Sequence, residues 1–411
     1  MQKFEKHSPV VVTEVTTKHE LRQFMQYPNR LYADNPNYIP SFYGDDLSDW
    51  TPGKNPAFDY CEARCWLAWR DGEIVGRIGA ILSHKANDKF GTHRMRFSQV
   101  DFVDDSEVSA ALFGTVERWA REKGCDQVHG PLGFTDMDRE GMLVEGFDRR
   151  SLFFTNYNAP YYLEHLTRLG YRKDVDWIEY RITVPAPGST EAERLHKLSE
   201  FILKRKNLHV ATVHHKSEYG PFVRQVFELV NAAYAPLYGV VELSDEQIER
   251  YANKFIPLVD PEFVCFVLDK QDKLVAFGVT ALDPSVALKH SDGRLFPFGW
   301  AGVLNDLHHS DTLIMLLTAV RPDLQTEGIN AVMMDHVCQS CNRHGVQFAE
   351  TGPMLELNDH ILAQWKRLEK EQHKRRRCFI KDLNHDVNAA NTAAAAQAEA
   401  PETAPAAESA E

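Results

Sequence analysis

The sequence has 411 residues, 43% of them hydrophobic and 11% aromatic, with 46 basic against 59 acidic side chains and a formal net charge of −13. That length accommodates two or three ordinary domains with sizeable cores, and the acid excess argues against a general nucleic-acid binder. The start MQKFEKHSPVVV lacks the apolar core of a secretion signal. No run reaches the roughly 18 apolar residues of a spanning helix, so a soluble, cytoplasmic protein is expected.

In chain order, VVVTEV predicts a strand and HELRQFMQYPNRLY a helix. CWLAWRDGEIVGRIGAIL predicts two strands around an Asp-Gly turn, a strong hairpin signal. A strand MRFSQVDFV, a helix from Ser106, a strand QVHGPLGF, a helix YYLEHLTRLGY and a strand DWIEYRI complete the first half. The prolines and glycine of TVPAPGSTEAER then mark a break. Beyond it come a strand HVATV, a helix from Tyr219 to Ala235, and a helix opening on the capping box of Ser244 and Gln247. A second hairpin, FVCFVLDKQDKLVAFGVTAL, precedes a strand TLIMLLTAV and a helix INAVMMDHVCQSCNRHG. VQFAET, the helix NDHILAQWKRL and a closing strand RRRCFIKDL end the ordered part. The order repeats once, which predicts an α/β (mixed α+β) fold of two tandem domains, each a mixed, largely antiparallel sheet flanked by helices. The domains are expected at residues 1–182 and 183–383. The alanine-rich, acidic residues 384–411 have too little apolar surface to fold and predict a disordered tail.

The stretch VRPDLQTEGINA, from Val320 to Ala331, runs from a strand straight into a helix. The first amides of such a helix lack intrahelical partners and favour an anion such as a phosphate. Gly328 lets the backbone approach that anion, and Gln325 adds a donor. The run resembles the acyl-coenzyme A signature of the GNAT superfamily of N-acyltransferases, whose core [QR]-x-x-G-x-[GA] is met at Gln325 and Gly328. The resemblance implies that Val320, Gln325, Thr326, Glu327, Gly328, Ile329, Asn330 and Ala331 hold the donor, and that a backbone amide within Leu317 to Val320 stabilises the oxyanion. Two departures stand out. Asn330 replaces the family's Gly or Ala, and Trp365 stands where a Tyr often protonates the leaving thiolate. In the first half the equivalent turn carries Asp104, Asp105 and Glu107 and no glycine, so that half is not expected to hold coenzyme A.

NPNYIP, GEIVGRIGAI, GPLGFTDMDREGMLVEGFD and YNAPYYLEHLTRLGY are similar to the bacterial ceramide synthase-like family of long GNAT proteins over roughly residues 10 to 383. That resemblance implies fatty-acyl transfer from an acyl thioester, on coenzyme A or an acyl carrier protein, to a lipid amine such as sphinganine or 3-ketosphinganine. Two other readings stay open: a GNAT acetyltransferase acting on a small-molecule or protein amine, and a non-catalytic GNAT-fold binding protein.

Such chemistry needs a proton acceptor near the amine. Glu350, at the end of VQFAE, is one candidate. The acidic loop TDMDREGMLVEGFD supplies others, Asp136 and Glu145 foremost. Met142, Leu143, Val144 and Phe147 in that loop either face a lipid chain or anchor the loop on the core. The basic run HKRRR, residues 373 to 377, predicts either a contact with an anionic partner (the coenzyme's 3′-phosphate, a carrier protein, or lipid headgroups at the inner face of the membrane) or a solvated turn. Cys338 and Cys341 form a CxxC flanked by His336 and His344, but one continuous helix cannot converge four zinc ligands. Packed thiols and no metal are expected.

Overall fold

The computed structural model describes residues 8–383, so the tail expected from residue 384 lies outside the described residues. In chain order the strands are β1 (Val11–Glu14), β2 (Cys61–Arg70), β3 (Glu73–Ser83), β4 (Arg94–Phe102), β5 (Gln127–Gly130), β6 (Met142–Glu145) and β7 (Arg172–Thr183). The second half contributes β8 (His209–Val210), β9 (Val264–Leu268), β10 (Leu274–Leu282), β11 (Thr312–Val320), β12 (Phe348–Glu350), β13 (Met354–Leu355) and β14 (Lys370–Asp382). They form one continuous sheet in the order β1-β2-β3-β4-β5-β14-β7-β12-β11-β10-β9-β8, with β6 on β14 and β13 on β7. Two pairs are parallel, β4 with β5 and β11 with β12, at equivalent places in the two halves. The other pairs are antiparallel, as expected for a repeated mixed unit.

The local signals act as their chemistry requires. Asp71 and Gly72 both take the left-handed conformation of a two-residue hairpin turn, φ 51° and 81°. Ser244 and Gln247 close their capping box at the helix Asp245–Phe255. Asp105 caps the helix Ser106–Glu122 by accepting from the amides of Glu107 and Val108. Leu112 and Phe113 of that helix are fully buried in one core with Phe97, Phe102 and Tyr162. In the second half Val226, Phe227, Tyr251, Phe266 and Phe277 form the corresponding core.

Long-range order departs from sequence order at the centre of the sheet. β14, the last strand, lies between β5 and β7, both from the first half, and β7 in turn pairs with β12. The closing strands are thus exchanged between the halves. The basic run HKRRR is therefore neither a solvated turn nor an anion-docking patch. It sits in β14, where Lys374 meets Glu179 and Glu350, Arg375 and Arg377 meet Asp176, and Arg376 meets Glu179. A cationic strand placed among acidic neighbours can be buried because its charges are paired there.

Two further expectations shrink. HVATV is a strand only at His209–Val210. NDHILAQWKRL is helical only over Asp359–Ala363, because Trp365 turns inward to pack with Ile182, Leu313 and Cys341 before the chain enters β14. Conversely, the helices Ser285–His290 and Gly299–His309 lie between β10 and β11, where no element is expected from sequence.

Candidate active site

The cradle is built as its sequence requires. β11 ends at Val320, a 3-10 turn covers Pro322–Glu327, Gly328 adopts φ 78°, and the helix Asn330–His344 follows. Gly328 is needed twice over. The left-handed conformation disfavours side chains, and a Cβ there would lie 3.2 Å from Ile202. Gln325 donates to the Val320 carbonyl at 3.3 Å, which ties the turn to the strand it leaves. Gln325, Thr326 and Gly328 face solvent, Asn330 is half-buried, and Ile329 and Ala331 anchor the helix in the core. Glu327 is neutralised by Lys206 at 2.5 Å. Lys206 belongs to the C-terminal end of the helix Thr190–Lys206, which also brings the exposed Lys204 and Arg205 beside the cradle. An open, glycine-floored turn at a helix N-terminus with cations nearby fits a pyrophosphate.

β11 and β12 are paired only from Thr312 to Ile314, opposite Phe348 to Glu350. Beyond that point they part, and Met315 to Thr318 are left half-buried on the open side. Leu316 is skipped in the register with β10, a bulge that kinks β11 at the opening. The first half has the same parting between β4 and β5, but there the chain fills it: Leu132 N donates to the Phe97 carbonyl at 3.0 Å, and Arg96 donates to the Gly133 carbonyl at 2.8 Å. Its helix N-terminus is also occupied, by the Asp105 carboxylate. The opening belongs to the second half.

Leu317, in that opening, forms part of the wall of an apolar chamber with Val223, Phe227, Phe255, Phe266 and Val279. Phe255 also lines a charged cleft between the halves, with Asp45, Asp46, Asp49, Asp138 and Lys254 around it. Tyr234, at the end of the helix Gly220–Tyr234, donates its hydroxyl to the Thr318 carbonyl at 2.8 Å. Burial pushes this phenol up to about 12, so it stays protonated at working pH. The nearby Asp136 charge pushes it the same way, and Met137 of the acidic loop packs against the same second-half core as Leu316 and Leu317 of β11.

The three candidate carboxylates occupy different environments. Asp136 is pushed up to about 6 by burial and then by Asp138, and its Oδ1 is buried without a partner. Asp138 is likewise pushed up to about 6 by burial, and then by Asp49. Glu140 lies well above the ordinary carboxylate range, by burial first and Asp136 second. Glu350 stands where β11 and β12 part, but Lys374 Nζ lies 3.1 Å from its Oε2 and holds it in an ion pair. Glu145 is exposed on β6 and pairs with Arg375 at 3.2 Å, next to β14 and its ion pairs. Met142 and Leu143 are buried in the first-half core, and Val144 and Phe147 pack against it, so they anchor the loop on that core.

Trp365 cannot supply the acid of its position. It is 5% exposed and its indole N–H points to Met354 Sδ at 3.2 Å. Tyr234 is the phenol the structure puts at the opening. Sequence reasoning passes over it because a Tyr ending an amphipathic helix carries no distinctive signal. Cys338 and Cys341 are buried free thiols on one helix. Among the described residues the group with metal-ligand spacing is His129, Asp174 and Cys378, and the Tyr238 hydroxyl bonds to all three.

No protein-family model matches the chain. Its fold is shared with a tandem GNAT protein from the clavulanic acid biosynthesis pathway, with a TM-score of 0.52 and 12% identity over 91% of this chain and 98% of that one. It is also shared with a GCN5-related glucosamine N-acetyltransferase region of a fungal multi-domain β-N-acetylglucosaminidase, with a TM-score of 0.51 and 10% identity over 92% of this chain and 38% of that one. The architecture is thus a tandem GNAT-type fold. In sequence the chain is 28% identical over 300 residues to the bacterial ceramide synthase of Caulobacter vibrioides, covering 71% of this chain and 75% of that protein. It is also 27% identical over 379 residues to Protein YghO of Escherichia coli K12, covering 91% and 95%.

Proposed function

We propose that the protein transfers a fatty acyl group from an acyl thioester, on coenzyme A or a carrier protein, to a lipid amine such as sphinganine or 3-ketosphinganine. The observation that carries the lipid part is the apolar chamber at Leu317, which shares Phe255 in its wall with a cleft rich in carboxylates. An alkyl chain suits the first and an ammonium head the second. In this reading residues 183–383 hold the donor on the cradle from Val320 to Ala331, and residues 1–182 present the acidic loop to the acceptor.

Asp136 takes the proton of the attacking amine as nitrogen bonds to the thioester carbonyl carbon. A carboxylate that titrates near 6 is well matched to that task near neutral pH. Backbone amides of β11 within Leu317 to Val320 stabilise the oxyanion. As the carbon–sulfur bond breaks, Tyr234 donates its phenolic proton to the sulfur, and the proton taken up by Asp136 restores the phenol through solvent. Tyr234→Phe is expected to lower kcat about 100-fold while leaving donor affinity within a factor of two or three. An unchanged kcat would remove Tyr234 from the mechanism.

Incubation of purified protein with acyl-coenzyme A donors of increasing length and either sphingoid amine, read by mass spectrometry, tests the function. Long-chain N-acyl product is expected. Gly328→Trp should abolish donor binding and product together, with about 1–2 kcal/mol of destabilisation from forcing a side chain into the left-handed region. Gly328→Asn, which tolerates that region, should keep the fold and retain more binding. Donor binding in Gly328→Trp equal to wild type would overturn the cradle assignment. Product with short acyl chains alone would overturn the lipid reading.

A further inference from the structure

The connection between β10 and β11 is much longer than its counterpart in the first half. Residues 84–93 join β3 to β4, whereas residues 283–311 join β10 to β11 and fold into two helices. The turn between these helices exposes large apolar side chains: Phe296 is 80% exposed and Phe298 81% exposed, with Trp300, Leu304 and Val286 also exposed. From Leu295 to Asn305 the sequence LFPFGWAGVLN contains no charged residue, in a chain of net charge −13. Arg294, exposed at its start, is the nearest charge on that side. The Trp300 indole N–H donates to the Pro297 carbonyl at 3.1 Å, so the ring presents no unmet polar group.

The base of this projection is firmly held. Val303, Leu307, Ala287 and Leu288 pack with Ile314 of β11, Phe42 and Phe153 in one core cluster. Phe42 and Phe153 also line the charged cleft between the halves. The projection is thus an arm whose root packs on two residues of the cleft wall and whose tip is apolar.

We propose that the tip Arg294–Leu304 inserts into the surface of a phospholipid bilayer. Phenylalanines on a proline turn, a tryptophan with its N–H satisfied and the lack of acids suit the boundary between headgroups and acyl chains, where such segments sink about 5–10 Å. Arg294 complements lipid phosphate. Contact through the basic run of β14 is excluded by its internal ion pairs. Its purpose rests on the lipid-amine reading above: the arm would bring the cleft to where a lipid amine resides. Because the remainder of the chain is acidic, the attachment is driven by apolar burial and resists salt.

The test is flotation of the purified chain with vesicles of phosphatidylethanolamine and phosphatidylglycerol, without acyl donor, at low salt and at high salt. Binding at both, reduced at least tenfold in the variant Phe296→Ser/Phe298→Ser/Trp300→Ser, is expected. All three side chains are exposed, and an unchanged melting temperature establishes that the variant folds. No vesicle binding by the wild type, or equal binding by the variant, would overturn the inference. So would a wild-type oligomer that ignores vesicles and dissociates in the variant, which would make the tip an interface between copies. Acyl transfer plays no part in this readout, so its failure leaves the proposed chemistry to be judged separately.

Discussion

Asp136→Asn is expected to lower kcat by about 100- to 10,000-fold while making the protein more stable at neutral pH. Both effects have one cause. Burial raises the folded-state pKa of Asp136 to about 6, above its ordinary value of 3.8. The folded state therefore holds this proton more tightly than the unfolded chain. That contribution is full below about pH 4 and is lost as pH rises through about 6. At pH 7.5 the carboxylate is charged and its buried Oδ1 has no partner. The amide carries no charge to desolvate, so the variant gains up to about 2–3 kcal/mol, at roughly 1.4 kcal/mol for each tenfold change in proton affinity. Thermal melts of both proteins from pH 4 to 8 should diverge as pH rises and meet at the acid end. A melt difference independent of pH would mean that Asp136 is solvated. Full activity in the variant would pass the role of base to another carboxylate.

Arg376→Met is expected to destabilise the fold by about 3–5 kcal/mol. Arg376 is fully buried, its Nε lies 2.5 Å from Glu179 Oε1, and its Nη1 donates to the Asn156 carbonyl. Burial alone would raise the Glu179 pKa, but Arg376 and Lys374 outweigh it and hold the carboxyl below its usual range. Removing the guanidinium leaves a buried carboxylate with Lys374 at 3.5 Å as its remaining ion-pair partner. The loss falls on the exchanged strands, because Glu179 lies on β7 and Arg376 on β14. Chemical denaturation should show an earlier midpoint, and adding Glu179→Leu should restore much of it by removing the stranded charge. A shift below 1 kcal/mol would mean that water reaches this network.

These two residues mark where reading a sequence stops. Asp136 is legible as one of several acids in a loop, but nothing local distinguishes it from Glu145. The difference is environmental: one is half-buried with a buried, unpartnered Oδ1, the other lies at the surface against Arg375. Glu350 is correctly placed at the parting of β11 and β12, yet its ion pair with Lys374 depends on a strand that arrives from the chain's end.

The sequence by itself determined what local chemistry controls. It specified the repeated strand and helix order, the Asp71–Gly72 hairpin, the caps at Asp105 and Ser244, and the turn at Gly328 that leads into the helix from Asn330. Each depends on residues within a few positions of one another. Tertiary structure alone decided the exchange of β7 and β14, the burial of the basic run, the filling of the first-half opening by Leu132 and Gly133, and the setting of Tyr234 against β11. Those depend on pairings between residues far apart in the chain, whose energies come from burial and charge complementarity that a linear pattern does not encode.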